Sequence, residues 1–148
     1  MDDLKIMGIS VRTSNLDGRS AQDIPKLWER FFAREVSAKL PHKVDDNLYV
    51  VYTDYKSDYK GEYTCVIGCR VRALENVPSE LVGYLFKNQK MIDIEVKGEI
   101  PAAVLDAWSD IWSRDSELNR TYRYDYELYK IVDNNLENSL VNIFIGVE

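Results

Sequence analysis

One histidine, two cysteines and no apolar run near the roughly 20 residues of a bilayer-crossing helix are what this sequence most conspicuously offers little or nothing of. With His42 alone, there is no Ser–His–Asp set, no nucleophile elbow and no metal-ligand spacing, which argues against the common hydrolytic and zinc mechanisms. Cys65 and Cys69 fall in an apparent strand, where four residues of extension separate their Cα atoms by about 13 Å, far beyond disulfide reach. They are expected as free, core-packed thiols. No Gly-rich phosphate loop exists, so nucleotides and other cofactors are not expected. Positive charge is also scarce: 19 Lys and Arg against 25 Asp and Glu give a net charge of −6, which argues against a direct nucleic-acid partner. The opening Met1-Asp2-Asp3-Leu4-Lys5 has no basic segment leading into an apolar one, so a soluble cytoplasmic protein without a membrane partner is expected.

What the sequence does hold is one domain's worth of chain, 148 residues with 45% hydrophobic and 30% charged side chains. Alternation marks Leu4 to Thr13 as a strand that the turn residues Asn15-Leu16-Asp17-Gly18 end. Asp23 to Phe32 follows as an amphipathic helix, with Asp23 as cap, Pro25 in the first turn and Ile24, Leu27, Trp28 and Phe31 on one stripe. Leu48 to Tyr55 and Glu62 to Val71 read as a hairpin.

The order then repeats. Gln89 to Lys97 reads as a strand, Ile100 to Trp112 as a helix, and Tyr122 to Val132 and Leu140 to Val147 as strands. Ile24-Pro25 and Ile100-Pro101 are read as opening corresponding helices, and Leu74 to Phe86 as a crossover of little regular structure. The expected fold is α+β: a duplicated β-α-β-β, with pseudo-repeats of about 1–73 and 87–148 in a single domain. Neither half can bury its helix stripe alone, so both helices belong on one face of a largely antiparallel sheet, with a ligand groove between or beside them.

Read together, Ile6 to Thr13, the Ile24-Pro25-x-x-Trp28-x-x-Phe31 helix, Tyr52-Thr53-Asp54-Tyr55 leading to Gly61-x-Tyr63, and Tyr126-Glu127-Leu128-Tyr129 resemble the GyrI-like effector-binding family. Domains of this family occur alone or attached to AraC-type and MerR-type transcription activators, and this chain is most similar to stand-alone, integron-associated members. The resemblance implies a multidrug-type binding module for lipophilic, often cationic compounds, held between aromatic rings by a buried Glu. Carried over, that acid is Glu127.

The residues themselves leave alternatives open. Glu127 shares a strand face with Asp125, Tyr129 and Ile131; it either loses water and needs a cationic partner, or is an exposed Glu beside a surface Lys. Trp108 and Trp112, one helical turn apart, either pack in the core or wall a groove, whereas Trp28 and Phe31 read as core. Among the tyrosines crowded around the hairpin, Tyr52 and Tyr63 are selected for the pocket and Tyr59 is assigned to the loop. The candidate ligand-binding set is thus Glu127, Trp108, Trp112, Tyr52, Tyr63 and Tyr129. Its expected partner is an aromatic, by resemblance cationic, small molecule, with a separate regulator protein receiving any output. Two other functions compete: a hydrolase using Glu127 with a Tyr, and a protein-binding inhibitor of the gyrase-inhibitor type.

Overall fold

A computed structural model describes residues 3–132 and 135–148. Among these, seven strands form one antiparallel sheet: β1 (Leu4–Ser14), β2 (Leu48–Thr53), β3 (Glu62–Arg70), β4 (Val82–Phe86), β5 (Met91–Val96), β6 (Arg120–Val132) and β7 (Asn135–Val147). Their order across the sheet is β4-β1-β3-β2-β6-β7-β5. The α-helices among these residues are α1 (Arg19–Ala33), α2 (Val36–Lys39), α3 (Ala102–Ser113) and α4 (Asp115–Leu118), with a 3-10 turn at Leu16–Gly18 before α1. Strands β1-β3-β2 on one side and β5-β7-β6 on the other have the same internal order, and the two triplets meet where β2 pairs with β6. This is the duplicated β-α-β-β arrangement that the sequence pattern implies.

Both long helices cover one face. Leu27 and Phe31 of α1 and Val104, Trp108 and Ile111 of α3 pack with Met7, Ile67, Ile143 and Ile145 of the sheet in the principal core, which also takes in Cys65 and Cys69. Both thiols are free and buried, consistent with apolar packing. Among the described residues no helix lies on the opposite face. There Ile6, Val51 and Val66 are fully buried with Tyr49, Phe86 and Tyr124, whose rings supply the cover a helix would otherwise give. Gly8 and Gly68 face each other across β1 and β3; a Cβ on Gly8 would run into the Ile67 carbonyl, so the close strand approach requires glycine.

Three expectations need correction. Leu74 to Phe86 is not all irregular, since β4 pairs antiparallel with β1 and shields its edge. Gly83, packed near Leu74 and Val77, weakens the strand signal there. Helix α1 begins at Arg19 after Gly18 in a left-handed conformation, so Asp23 is not its cap and Pro25 lies inside it. The two Ile-Pro pairs are therefore not equivalent: Pro101 precedes the first residue of α3, while Pro25 interrupts α1 and leaves the Ala21 carbonyl without its helical N–H. Strands β6 and β7 are also longer at their starts than alternation alone indicates.

Candidate functional site

The two helices stand over the outer strands, α1 against β1 and β3 and α3 beside β5, so the middle strands β2 and β6 form an open floor between them. A cavity of about 310 Å³ lies there. That is within the size range of small-molecule sites. All six candidate residues line it: Tyr52 and Tyr63 from the hairpin, Trp108 and Trp112 from α3, and Glu127 and Tyr129 from β6.

Alternation along β6 sets the site's polar centre, because Asp125, Glu127 and Tyr129 all turn toward the helices and all are buried. Glu127 is 3% exposed and accepts three hydrogen bonds. Tyr52 Oη donates to Oε2 at 2.7 Å and Trp108 Nε1 to the same oxygen at 2.6 Å, while Tyr129 Oη donates to Oε1 at 2.7 Å. Burial raises the Glu127 pKa above the usual carboxylate range, opposed by the three donors, which favour the ionised form. Burial first, and then the Glu127 charge, lift the Tyr52 and Tyr129 hydroxyls well above the ordinary phenol range, so both remain donors. Among the described residues no cationic side chain pairs with Glu127.

Aromatic rings enclose this centre. Tyr52 meets the Trp108 ring edge-on at 5.2 Å and Trp28 meets Tyr129 at 5.4 Å, while Tyr59 stacks on Trp112 at 6.0 Å with planes 8° apart. Trp108 thus does both jobs weighed for it: it is 7% exposed within the core and its indole N–H reaches the cavity acid. Trp28, expected as core, is half-buried and lines the cavity, whereas Phe31 is core. Tyr59, set aside as a loop residue, also lines the cavity, held by Asn15, whose Nδ2 donates to the Tyr59 carbonyl while its Oδ1 accepts from Tyr63.

Sequence reading missed a second buried charge cluster behind this one. Asp125 Oδ2 accepts from Arg120 Nη2 at 2.7 Å and Tyr55 Oη at 2.6 Å, and Oδ1 accepts from the Gly146 amide at 2.8 Å. Five residues apart, Arg120 and Asp125 would face opposite sides of a regular strand. A register shift in β6 between them, with Tyr122 at φ 56°, turns Arg120 inward. Burial opposes the Arg120 charge, but attraction to Asp125, with smaller contributions from Tyr55 and Tyr122, holds its pKa above the ordinary value. The guanidinium lies 4.3 Å from the Tyr122 ring centre, and its buried Nε has no acceptor among the described residues.

The profile of the integron-associated effector-binding protein family, Cass2, matches residues 1–147. The chain belongs to this family. Among solved Cass2-like structures, the integron cassette protein from the mobile metagenome of Vibrio cholerae superposes with a TM-score of 0.78 at 28% identity, covering 100% of this chain and 92% of that one. SAV2435, solved bound to tetraphenylphosphonium, shares the fold with a TM-score of 0.79 at 18% identity over 100% of this chain and 90% of its own. YobU of Bacillus subtilis (strain 168), which carries a transcriptional-regulator name, is 27% identical over 160 residues, spanning 100% of this chain and 94% of its own. These agree with the GyrI-like effector-binding resemblance read from the sequence.

Proposed function

We propose that this protein binds a lipophilic aromatic cation in the cavity above β2 and β6, with Glu127 as countercharge and tryptophan and tyrosine rings as walls. The observation that carries the reading is Glu127: a carboxylate 3% exposed, oriented by three donors, with no cationic side chain paired to it among the described residues. Such a group is costly to bury uncompensated, and an entering cation supplies the missing partner while its apolar groups meet ring faces. The tetraphenylphosphonium held by SAV2435, a protein of the same fold, is a ligand of this class and supports the reading. In that role the domain is a sensor or sequestering module that passes any regulatory output to a partner protein.

The hydrolase alternative requires Glu127 to activate a water, and its raised pKa favours a base. Both carboxylate oxygens, however, already accept from Tyr52, Trp108 and Tyr129, which fix the carboxylate's orientation and engage both oxygens with the protein's own donors rather than with a water to be activated. Calorimetric titration with tetraphenylphosphonium and with neutral triphenylphosphine oxide tests the proposal. Saturable one-to-one binding of the cation, at least tenfold tighter than the oxide, is expected; equal affinities would sink it, and consumption of a bound electrophile would favour the hydrolase.

A further inference from the structure

The cavity's charge count is set by a residue that the cation-binding reading leaves unused. Among the described residues two carboxylates face this side of β6, Asp125 at 0% and Glu127 at 3% exposure, but they are not equally available. Glu127 lines the cavity itself. Asp125 lies behind Arg120, which lines the cavity and donates to Asp125 Oδ2 at 2.7 Å. The Arg120 side chain is 1% exposed, and its Nη1 also reaches Tyr122 Oη at 3.3 Å and Asp115 Oδ1 at 3.5 Å. It is pinned by several partners, and a ligand would not readily displace it.

We infer that Arg120 fixes the charge of the acceptable ligand: by pairing with Asp125, and more loosely with Asp115, it leaves Glu127 as the one carboxylate among the described residues that lines the cavity, so the site takes an aromatic monocation and rejects a dication of the same skeleton. This rests on the cation reading above and deepens it. A second ligand charge in the cavity finds no carboxylate of its own and meets the Arg120 guanidinium, so it loses its water without a partner. The protein supplies that second cation from its own chain. Two residues apart on one strand, Asp125 and Glu127 have Cα atoms about 7 Å apart, close to the roughly 7 Å between the two nitrogens of a 4,4′-bipyridinium. Removing the Arg120 charge would therefore leave two unpaired carboxylates whose strand positions lie about that far apart.

The test uses three ligands of one shape: neutral 4-phenylpyridine at pH 8, the monocation 1-methyl-4-phenylpyridinium and the dication 1,1′-dimethyl-4,4′-bipyridinium. Wild type is expected to bind the monocation at least tenfold more tightly than either other compound. In Arg120→Met the order of the two cations reverses, with the dication gaining at least tenfold relative to the monocation. Because that variant exposes Asp125 to an uncompensated environment, its thermal midpoint is read with each ligand as well: the dication should raise the midpoint of Arg120→Met and not that of wild type. Arg120→Met/Asp125→Asn, with both charges gone, should return to monocation preference. If wild type binds the neutral compound as tightly as the monocation, the cation reading fails and takes this inference with it. If the monocation beats the neutral compound but the dication binds wild type equally well, or fails to stabilise Arg120→Met, the cation reading stands and the role of Arg120 is overturned.

Discussion

Replacing Glu127 by Gln removes one charge from the cavity while leaving its shape in place. The amide fits the existing hydrogen bonds: its oxygen can accept from Tyr52 and Trp108, which already share one carboxylate oxygen, and its nitrogen can donate to Tyr129 once that hydroxyl turns its proton away. The variant should fold. A cation centre about 5 Å from the carboxylate, at an effective dielectric of about 20, gains about 3 kcal/mol of Coulomb attraction. Because burial raises the Glu127 pKa, part of the site is protonated near that pKa, which trims the advantage. A loss of about 1.5–3 kcal/mol is expected, about 10- to 150-fold in affinity for tetraphenylphosphonium. Triphenylphosphine oxide, with similar rings and no charge, should change by less than about threefold. Three tryptophans line the cavity, so quenching of intrinsic fluorescence follows occupancy directly. If Glu127→Gln binds the cation as wild type does, or loses both compounds equally, Glu127 is not the countercharge.

Four other outcomes follow from the structure. Since the folded pKa of Glu127 is raised, its protonated form favours the fold: that stabilisation is complete below the unfolded value and lost as pH rises through the folded one, so the thermal midpoint of the free protein should fall relative to Glu127→Gln over that window. Cation affinity, measured by titration across the same window, should move oppositely and strengthen as pH rises. Tyr59→Ala removes the ring stacked on Trp112 and should weaken ligand binding by about 0.5–1.5 kcal/mol in the fluorescence titration, with the urea midpoint nearly unchanged. Gly8→Ala forces a methyl group against the Ile67 carbonyl and should cost more than about 2 kcal/mol in urea unfolding, with no direct effect on the cavity.

The fold was legible where one face of an element is buried and the other is not. Period-two alternation marks β6 and β7 and the 3.6-residue stripe marks both helices, because there water falls mainly on one side, whereas β2 and β3, buried on both faces, show as short apolar, β-branched runs between turn residues. Alternation also placed Glu127 and Tyr129 on a shared face. It could not place Arg120, whose inward turn depends on the irregularity around Tyr122, and a two-residue period carries no information across such a break. Tyr55 and Tyr59 were unreadable for a related reason: they follow the end of β2, where side-chain direction is set by contacts with distant groups, Asp125 for one and Trp112 for the other. The edge strand β4, five residues long with Gly83 in second place, is too short and too interrupted a run to announce itself. Pro25 misled in the opposite direction, since its preference for a first turn is only a preference, and α1 has enough buried apolar contact to run through it.

Because each wall of the cavity is carried by a different half of the sheet, the halves act like the two leaves of a book bound along a short spine. That spine is the ladder between β2 and β6, six residue pairs from Leu48–Tyr129 to Thr53–Tyr124. A change of twist along it moves α1 and α3 together or apart while each helix stays seated on its own strands. Both hydrophobic cores cross that spine, so the opening adjusts to guests of different girth only as far as the shared packing beneath α1 and α3 gives, and Glu127, opposite Val50 on the spine itself, lies nearest the axis.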